Sequence, residues 1–352
     1  MHRRLVKFLA GLLPLALGAS AWAVSCTTES MMTGAQRSDV EQAALGLADN
    51  VQTGNIAALK AQTLPRVAAQ FSGIEGSVEA VQPFIRHATL TADALYLLNA
   101  GDLTTAQEAE FFCGVPGSPL LVTLSIPSLP PGQFALAILH ATGVEHPQQV
   151  SMILASEPDS SGWKLAGFFT RPMTLGGHDG VWFWKQARVY AAKKQRWDAW
   201  FYYQTAQYLL NPVDFLSSPN LRKLLREAED AQPDGLPGEQ PMRLSGDDGQ
   251  TFDVTDLHTG ELAGQLDLVV DFKGTPEPDP VAARAQVTAV MRALLREHPE
   301  LAQAFHGLWV YAYAPGNQPP FALELPMKEI QDSASPAGQR SAAATNPGKQ
   351  TG

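Results

Sequence analysis

The sequence predicts an α+β protein of three successive units behind a cleavable leader. Three observations carry this. Apolar residues recur at helical spacing between Ser38 and Phe71, then alternate in short runs from Leu90 to Phe169. Val181 to Leu210 is dense in rings and helix formers. After a stretch rich in Pro, Gly and acids, a second alternating pattern begins at Thr251. With 352 residues, 45% of them hydrophobic and 17% charged, the chain can bury more than one core.

Met1 to Lys7 is cationic, and Phe8 to Ala23 is small and apolar, closing on Ala21-Trp22-Ala23. This is the pattern of a signal peptide over residues 1–23. The apolar run contains Pro14 and falls short of the roughly 20 residues a spanning helix needs, so no transmembrane segment is expected. The mature protein is then periplasmic or secreted. Removing the leader takes away Arg3, Arg4 and Lys7 but no acid, so the product is more acidic than the −10 of the full chain. Without clustered Lys/Arg, such a chain is not expected to bind nucleic acid.

The two cysteines, Cys26 and Cys113, leave two fates open. Trp22-Ala23-Val24-Ser25-Cys26 fits a permissive lipoprotein box, which would put a lipid anchor on Cys26. The preferred fate is a disulfide from Cys26 to Cys113 in an oxidising compartment, tying down the mature N-terminus.

Within residues 36–173, Ser38-Asp39-Val40-Glu41 reads as a capping box opening a helix that carries Val40, Ala44, Leu47 and Val51. Helical segments follow at Ile56 and Pro65, and Pro83 interrupts the pattern after Gly76. Strands are expected at Leu90–Leu98, Glu110–Cys113, Leu120–Ile126, Phe134–Ala141, Val150–Ala155 and Trp163–Phe169. Turns at Pro116-Gly117, Pro130-Pro131-Gly132, His146-Pro147 and Asp159 to Gly162 are too short for parallel crossovers, so the sheet is antiparallel.

Helices first, then a meander ending in Gly162-Trp163-Lys164-Leu165-Ala166-Gly167-Phe168, resembles the nuclear-transport-factor-2-like (NTF2-like) fold. The resemblance implies a bent sheet wrapped around helices as a cone. It also implies either a ligand-binding role or an enzyme, of isomerase or hydrolase type, with its site in the cone. The isomerases of that group set an acid and a Tyr against one apolar cavity. Asp93 and Tyr96 are the matching types, with His140 a further acid/base candidate. Their odd spacing, however, sends Asp93 and Tyr96 to opposite faces of a regular strand.

Residues 178–230 read as a helical unit. Ala187, Tyr190, Ala199, Tyr203 and Ala206 alternate small and large as in a helical hairpin closed by Asn211-Pro212, and the spacing resembles one tetratricopeptide (TPR) unit. One such unit cannot bury its own face and must lean on the first domain or on a partner. Trp182, Trp184, Tyr190, Trp197, Trp200 and Tyr203 are therefore either packing residues or a surface for a protein, a peptide or a small apolar ligand.

Residues 231–249 read as a linker. Residues 250–330 read as a ββαββ unit, one helix with Val287, Val290, Met291 and Leu294 on a sheet, and residues 331–352 as a disordered tail.

The chain has no G-x-S-x-G, H-E-x-x-H, C-x-x-C or phosphate-binding Gly loop. His178 and Asp179, between glycines, are the most metal-like pair, although Asp179 as a helix cap explains them as well. His140, His146, His298 and His306 read as hydrogen-bonded surface histidines, and Glu227 to Asp230 as a solvated helix end. No cofactor is implied. The whole chain is also similar to a group of exported bacterial proteins with no assigned activity. The expected function is a non-catalytic binding or scaffold module. The alternatives are an enzyme with its site in the cone and a lipid-anchored envelope assembly factor.

Overall fold

The computed structural model describes residues 24–114, 120–157, 162–247, 249–275, 279–316 and 319–334. The expected signal peptide, the turns at Pro116-Gly117 and Asp159–Ser161, and the tail from Ser335 onward lie outside the described residues. Among the described residues no helix is long and apolar enough to cross a membrane.

The fold is mixed α+β. A short strand β1 (Ser25–Thr28) precedes four helices, α1 (Gly34–Gln52), α2 (Ile56–Ala61), α3 (Pro65–Ala68) and α4 (Ser72–Ile85). Helix α1 starts one turn earlier than Ser38 suggests. Thr33 accepts from the Gln36 N–H, and the Gln36 side chain accepts from the Thr33 N–H, so Thr33-x-x-Gln36 is the capping box used. Pro83 does not stop α4, because it sits in the last turn and the helix runs on only to Ile85.

Six longer strands follow: β2 (Thr89–Asn99), β3 (Gln107–Gly114), β4 (Leu121–Leu129), β5 (Gln133–Thr142), β6 (Gln148–Ser156) and β7 (Trp163–Pro172). They do not form one meander. Strands β1-β2-β5-β6-β7 make an antiparallel five-stranded sheet, while β3 and β4 leave it to form a second sheet. Strand β5 supplies the physical reason, since it is apolar on both sides. Ala135, Ala137, Leu139 and Ala141 pack with Val40, Leu47, Val78 and Ile85 under the helices. Phe134, Leu136 and Ile138 pack on the opposite face with Phe111 and Leu124 of the second sheet. A sheet exposing the second set to water would forfeit roughly 1.5–3 kcal/mol per large side chain, and the β3–β4 layer covers it.

Two-residue strands β8 (Thr174–Leu175) and β9 (His178–Asp179) are joined by Gly176 and Gly177 at φ +54° and +74°. Two successive positive φ values are what a two-residue hairpin turn requires, which accounts for this glycine pair. Helices α5 (Gly180–Ala192) and α6 (Arg196–Leu210) then form the expected hairpin. They close so tightly that a Cβ on Gly180 would lie 2.6 Å from Leu210 Cγ. Strand β10 (Leu216–Ser217) adds an edge to β4, and α7 (Pro219–Ala231) is capped by Ser218.

The remaining elements are β11 (Met242–Ser245), β12 (Thr251–Leu262), β13 (Gln265–Lys273), α8 (Pro280–Glu297), α9 (Leu301–Ala304), β14 (Gly307–Tyr313), β15 (Phe321–Pro326) and α10 (Met327–Ala334). Their sheet runs β11-β12-β13-β14-β15, antiparallel except between β13 and β14, which α8 joins as a crossover. Two boundaries differ from the sequence expectation. The stretch 231–249 contains edge strand β11, whose Met242 and Leu244 reach the core, and Gln331–Ala334 closes helix α10.

The helical hairpin leans on this C-terminal sheet. Phe183, Phe201, Tyr202 and Ala206 share one continuous core with Val254, Val270, Met291 and Leu308.

Candidate functional site

The site builds from one face of α6. Trp200, Gln204 and Tyr208 recur at four-residue spacing, so they stack along that face. With Phe201 and Thr205 they form one wall of a cleft of about 680 Å³. Leu257, His258 and Thr259 of β12, with Pro172, Leu175, Leu236 and Pro237, complete its lining.

Hydrogen bonds hold each wall. Thr205 Oγ1 bonds Phe201 O at 2.8 Å and Thr259 Oγ1 at 2.7 Å, joining α6 to β12. Arg196 donates to the carbonyls of Ala231 and Gln232, anchoring the segment that carries Leu236. The Arg171 guanidinium sits 5.0 Å over the Tyr208 ring and pairs with Asp214 at 2.9 Å. His258 Nδ1 lies 2.9 Å from Asp256 Oδ2. The result is a concave, mostly apolar surface with a few fixed polar groups, within the size range of small-molecule pockets.

Of the six aromatic residues singled out from the sequence, Trp200 lines this cleft. Trp197 and Tyr203 are buried, and Trp197 packs on His298 with ring centres 3.9 Å apart. Tyr190 meets Tyr202 edge to face at 4.9 Å. Trp184 donates its indole N–H to Glu227 at 2.7 Å, while Arg188 sits 4.5 Å over the Trp184 ring and also binds Glu227. Burial alone would raise the Glu227 carboxyl, but the Arg188 and Trp184 hydrogen bonds outweigh it and hold it below its ordinary value. Glu227 is thus a strut between α5 and α7. Tyr208 belongs to the ring-dense run read from the sequence but not to those six, and Gln204 and the β12 residues are not among them either. The four-residue spacing from Trp200 was the available signal for the first two; nothing local points to the third.

Trp182 is stacked under His178 at 3.6 Å, and Asp179 Oδ1 accepts from the Trp182 N–H at 2.8 Å as the α5 cap. His178 and Asp179 are therefore engaged with Trp182 rather than converging on a common ligand point.

Two of the three acid/base candidates of the first domain, Asp93 and His140, come together. A bulge between Ala92 and Ala94 inserts Asp93 into β2 and shifts the alternation, so the opposite-face expectation fails. Asp93 Oδ1 lies 3.6 Å from His140 Nδ1, and the Gln149 amide occupies His140 Nε2 at 3.1 Å. The Tyr96 hydroxyl is raised above its ordinary value by burial, then by Asp93 and Glu29. Gln149 thus engages His140 Nε2, while Nδ1 faces Asp93 at a distance too long for a hydrogen bond.

Cys26 and Cys113 form a disulfide across 87 residues of sequence, linking β1 to β3 and hence the two sheets of the first domain. No thiol remains on Cys26 to carry a lipid, which removes the lipid-anchor alternative in this state.

Compared with protein-family models, curated proteins and solved structures, the chain matches none.

Proposed function

We propose that the protein is a non-catalytic binding module of an oxidising, extracytoplasmic compartment, and that it holds a small apolar, ring-bearing ligand in the α6–β12 cleft. The carrying observation is the cleft itself, with Trp200 and Tyr208 beside a tethered Thr205–Thr259 pair. Rings supply contact area at low entropy cost, and a few fixed hydroxyl and amide groups orient what enters. The Cys26–Cys113 disulfide supports the compartment, since such bonds rarely persist in the cytosol. Helices α1, α2 and α4 on one face of an antiparallel sheet support reading 36–173 as an NTF2-like cone. The α5–α6 pair supports reading 178–230 as a TPR-like hairpin.

A second reading places a small-molecule reaction at Asp93, Tyr96 and His140, favoured by the bulge that sets Asp93 beside His140. It requires Gln149 to release His140. Gln149→Ala would then create or raise activity on a model ester or ketone, whereas the binding reading predicts no turnover by either form.

The cleft is tested by titrating the mature protein with the apolar dye anilinonaphthalene sulfonate. Saturable one-site binding, weakened at least tenfold by Trp200→Ala with Tyr208→Ala, is expected. Absence of saturation, or an affinity indifferent to both changes, would refute it.

A further inference from the structure

A second site lies on the C-terminal sheet, one register position beyond the cleft's Thr259, where Gly260 pairs with Asp267. Strands β13 and β14 are parallel, so their starting ends lie side by side with Leu268 opposite Leu308. That register sets Asp267, near the start of β13, beside Gly307, the first residue of β14. The antiparallel return of β15 brings Glu324 to the same corner, opposite Trp309. His306 completes the group, and its backbone is held on both sides. Its N–H donates to Leu266 O at 2.8 Å, and its carbonyl accepts from Met327 N–H at 2.9 Å.

The three side chains converge. His306 Nδ1 is 3.3 Å from Asp267 Oδ1 and 4.0 Å from Glu324 Oε1, and one ligand-type atom from each residue lies within 4.8 Å of the others. Gly307 leaves the space in which the carboxylates meet: a Cβ there would stand 2.6 Å from Glu324 Oε1 and 3.1 Å from Asp267 Oδ1.

An independent observation points to a cation. The Asp267 side chain is 1% exposed, yet its Oδ2, like the buried Glu324 Oε1, has no hydrogen-bond partner among the described residues. Buried carboxylate oxygens without donors are costly and uncommon. A single exposed imidazole is a weak counterweight to two such groups.

We propose that Asp267, His306 and Glu324 bind one divalent transition-metal ion of the zinc class. One imidazole nitrogen with two carboxylate oxygens suits zinc or manganese better than calcium, which takes six or more oxygens. Zinc–ligand bonds of about 2.0–2.2 Å in a tetrahedron set ligand atoms roughly 3.3–3.5 Å apart. The His306–Asp267 separation already meets this, and Glu324 has to close in from its 4.0 Å separation from His306. Three protein ligands leave a fourth position on the exposed His306 side for water or an outside ligand.

The test loads chelator-stripped protein with Zn²⁺, desalts it and measures bound metal, alongside the visible spectrum of the Co²⁺ form. One Zn²⁺ per chain, a tetrahedral Co²⁺ spectrum and a Zn²⁺-dependent rise in melting temperature are expected. His306→Gln and Gly307→Ala should each weaken binding at least tenfold, while His258→Gln, which alters a different His–Asp pair, should not. In metal-free protein Glu324→Gln should melt higher than the parent, because one of two facing carboxylates is gone. Substoichiometric retention by the parent, or binding lost with His258→Gln but kept by His306→Gln, would overturn the assignment. So would a metal-free Glu324→Gln protein no more stable than the parent.

Discussion

Tyr202 on α6 donates its hydroxyl proton to the carbonyl oxygen of Ala304, 2.6 Å away, and both residues are buried. This bond ties the helical hairpin to the corner between α9 and β14. The same helix pair shares its core with the C-terminal sheet, which buries the face the pair could not cover alone. Tyr202→Phe keeps the ring but leaves the Ala304 carbonyl unpaired, so a loss of about 1–3 kcal/mol is expected in urea unfolding, with the helical signal retained. A fragment of residues 178–230 should be unfolded. A loss below about 0.5 kcal/mol, or a folded fragment, would contradict the shared core.

The Cys26–Cys113 bridge closes a loop with a sequence separation of 87. In the chain-entropy treatment a loop of that size contributes on the order of 4–5 kcal/mol by restricting the unfolded chain. Replacing both cysteines by Ser should lower the unfolding free energy by about 2–5 kcal/mol. Amide exchange in β1 should quicken more than in β6, because β1 is an edge strand held from one side. Equal exchange in both strands would count against the tether.

Asp198 is buried on α6, and neither carboxyl oxygen has a hydrogen-bond partner among the described residues. Burial, and then Glu300, push its carboxyl up to about 7 from an ordinary value of 3.8. A raised carboxyl pKa means that the folded form holds its proton better than the unfolded chain does. The group's contribution is therefore complete below about pH 4, declines as pH rises towards 7, and is gone above it. At about 1.4 kcal/mol per unit, the change is on the order of 4 kcal/mol. Asp198→Asn cannot titrate, so its unfolding free energy minus that of the parent should increase from pH 4 to pH 8. A pH-independent difference would show that Asp198 is not titrating as described.

Several features were legible in the sequence because they are local. The α+β alternation, the helices around Tyr190 and Tyr203, and the pairing of the only two cysteines follow from periodicity and from counting. Strand partnership is not local. Nothing near Phe111 states that it will cover Phe134 and Leu136 instead of extending their sheet, although the run from Phe134 to Ala141, apolar at every residue but His140, carried the hint of a two-faced strand. The bulge at Asp93 hid the grouping of Asp93 with His140, since a single inserted residue reverses a strand's faces. Trp200 stood out by its ring, but its wall partners Leu257 and Thr259 lie far along the chain. Asp267, His306 and Glu324 meet only through the β13–β14 crossover register, which sequence spacing cannot reveal.

The most direct measurement fills the cleft. Gln204 sits between Trp200 and Tyr208 on its α6 wall, and Gln204→Trp places an indole in the space assigned to the ligand. If the cleft is the binding site, this variant keeps the parent's circular dichroism and melting transition but shows no saturable dye binding. Unchanged one-site binding by a correctly folded Gln204→Trp protein would contradict that assignment.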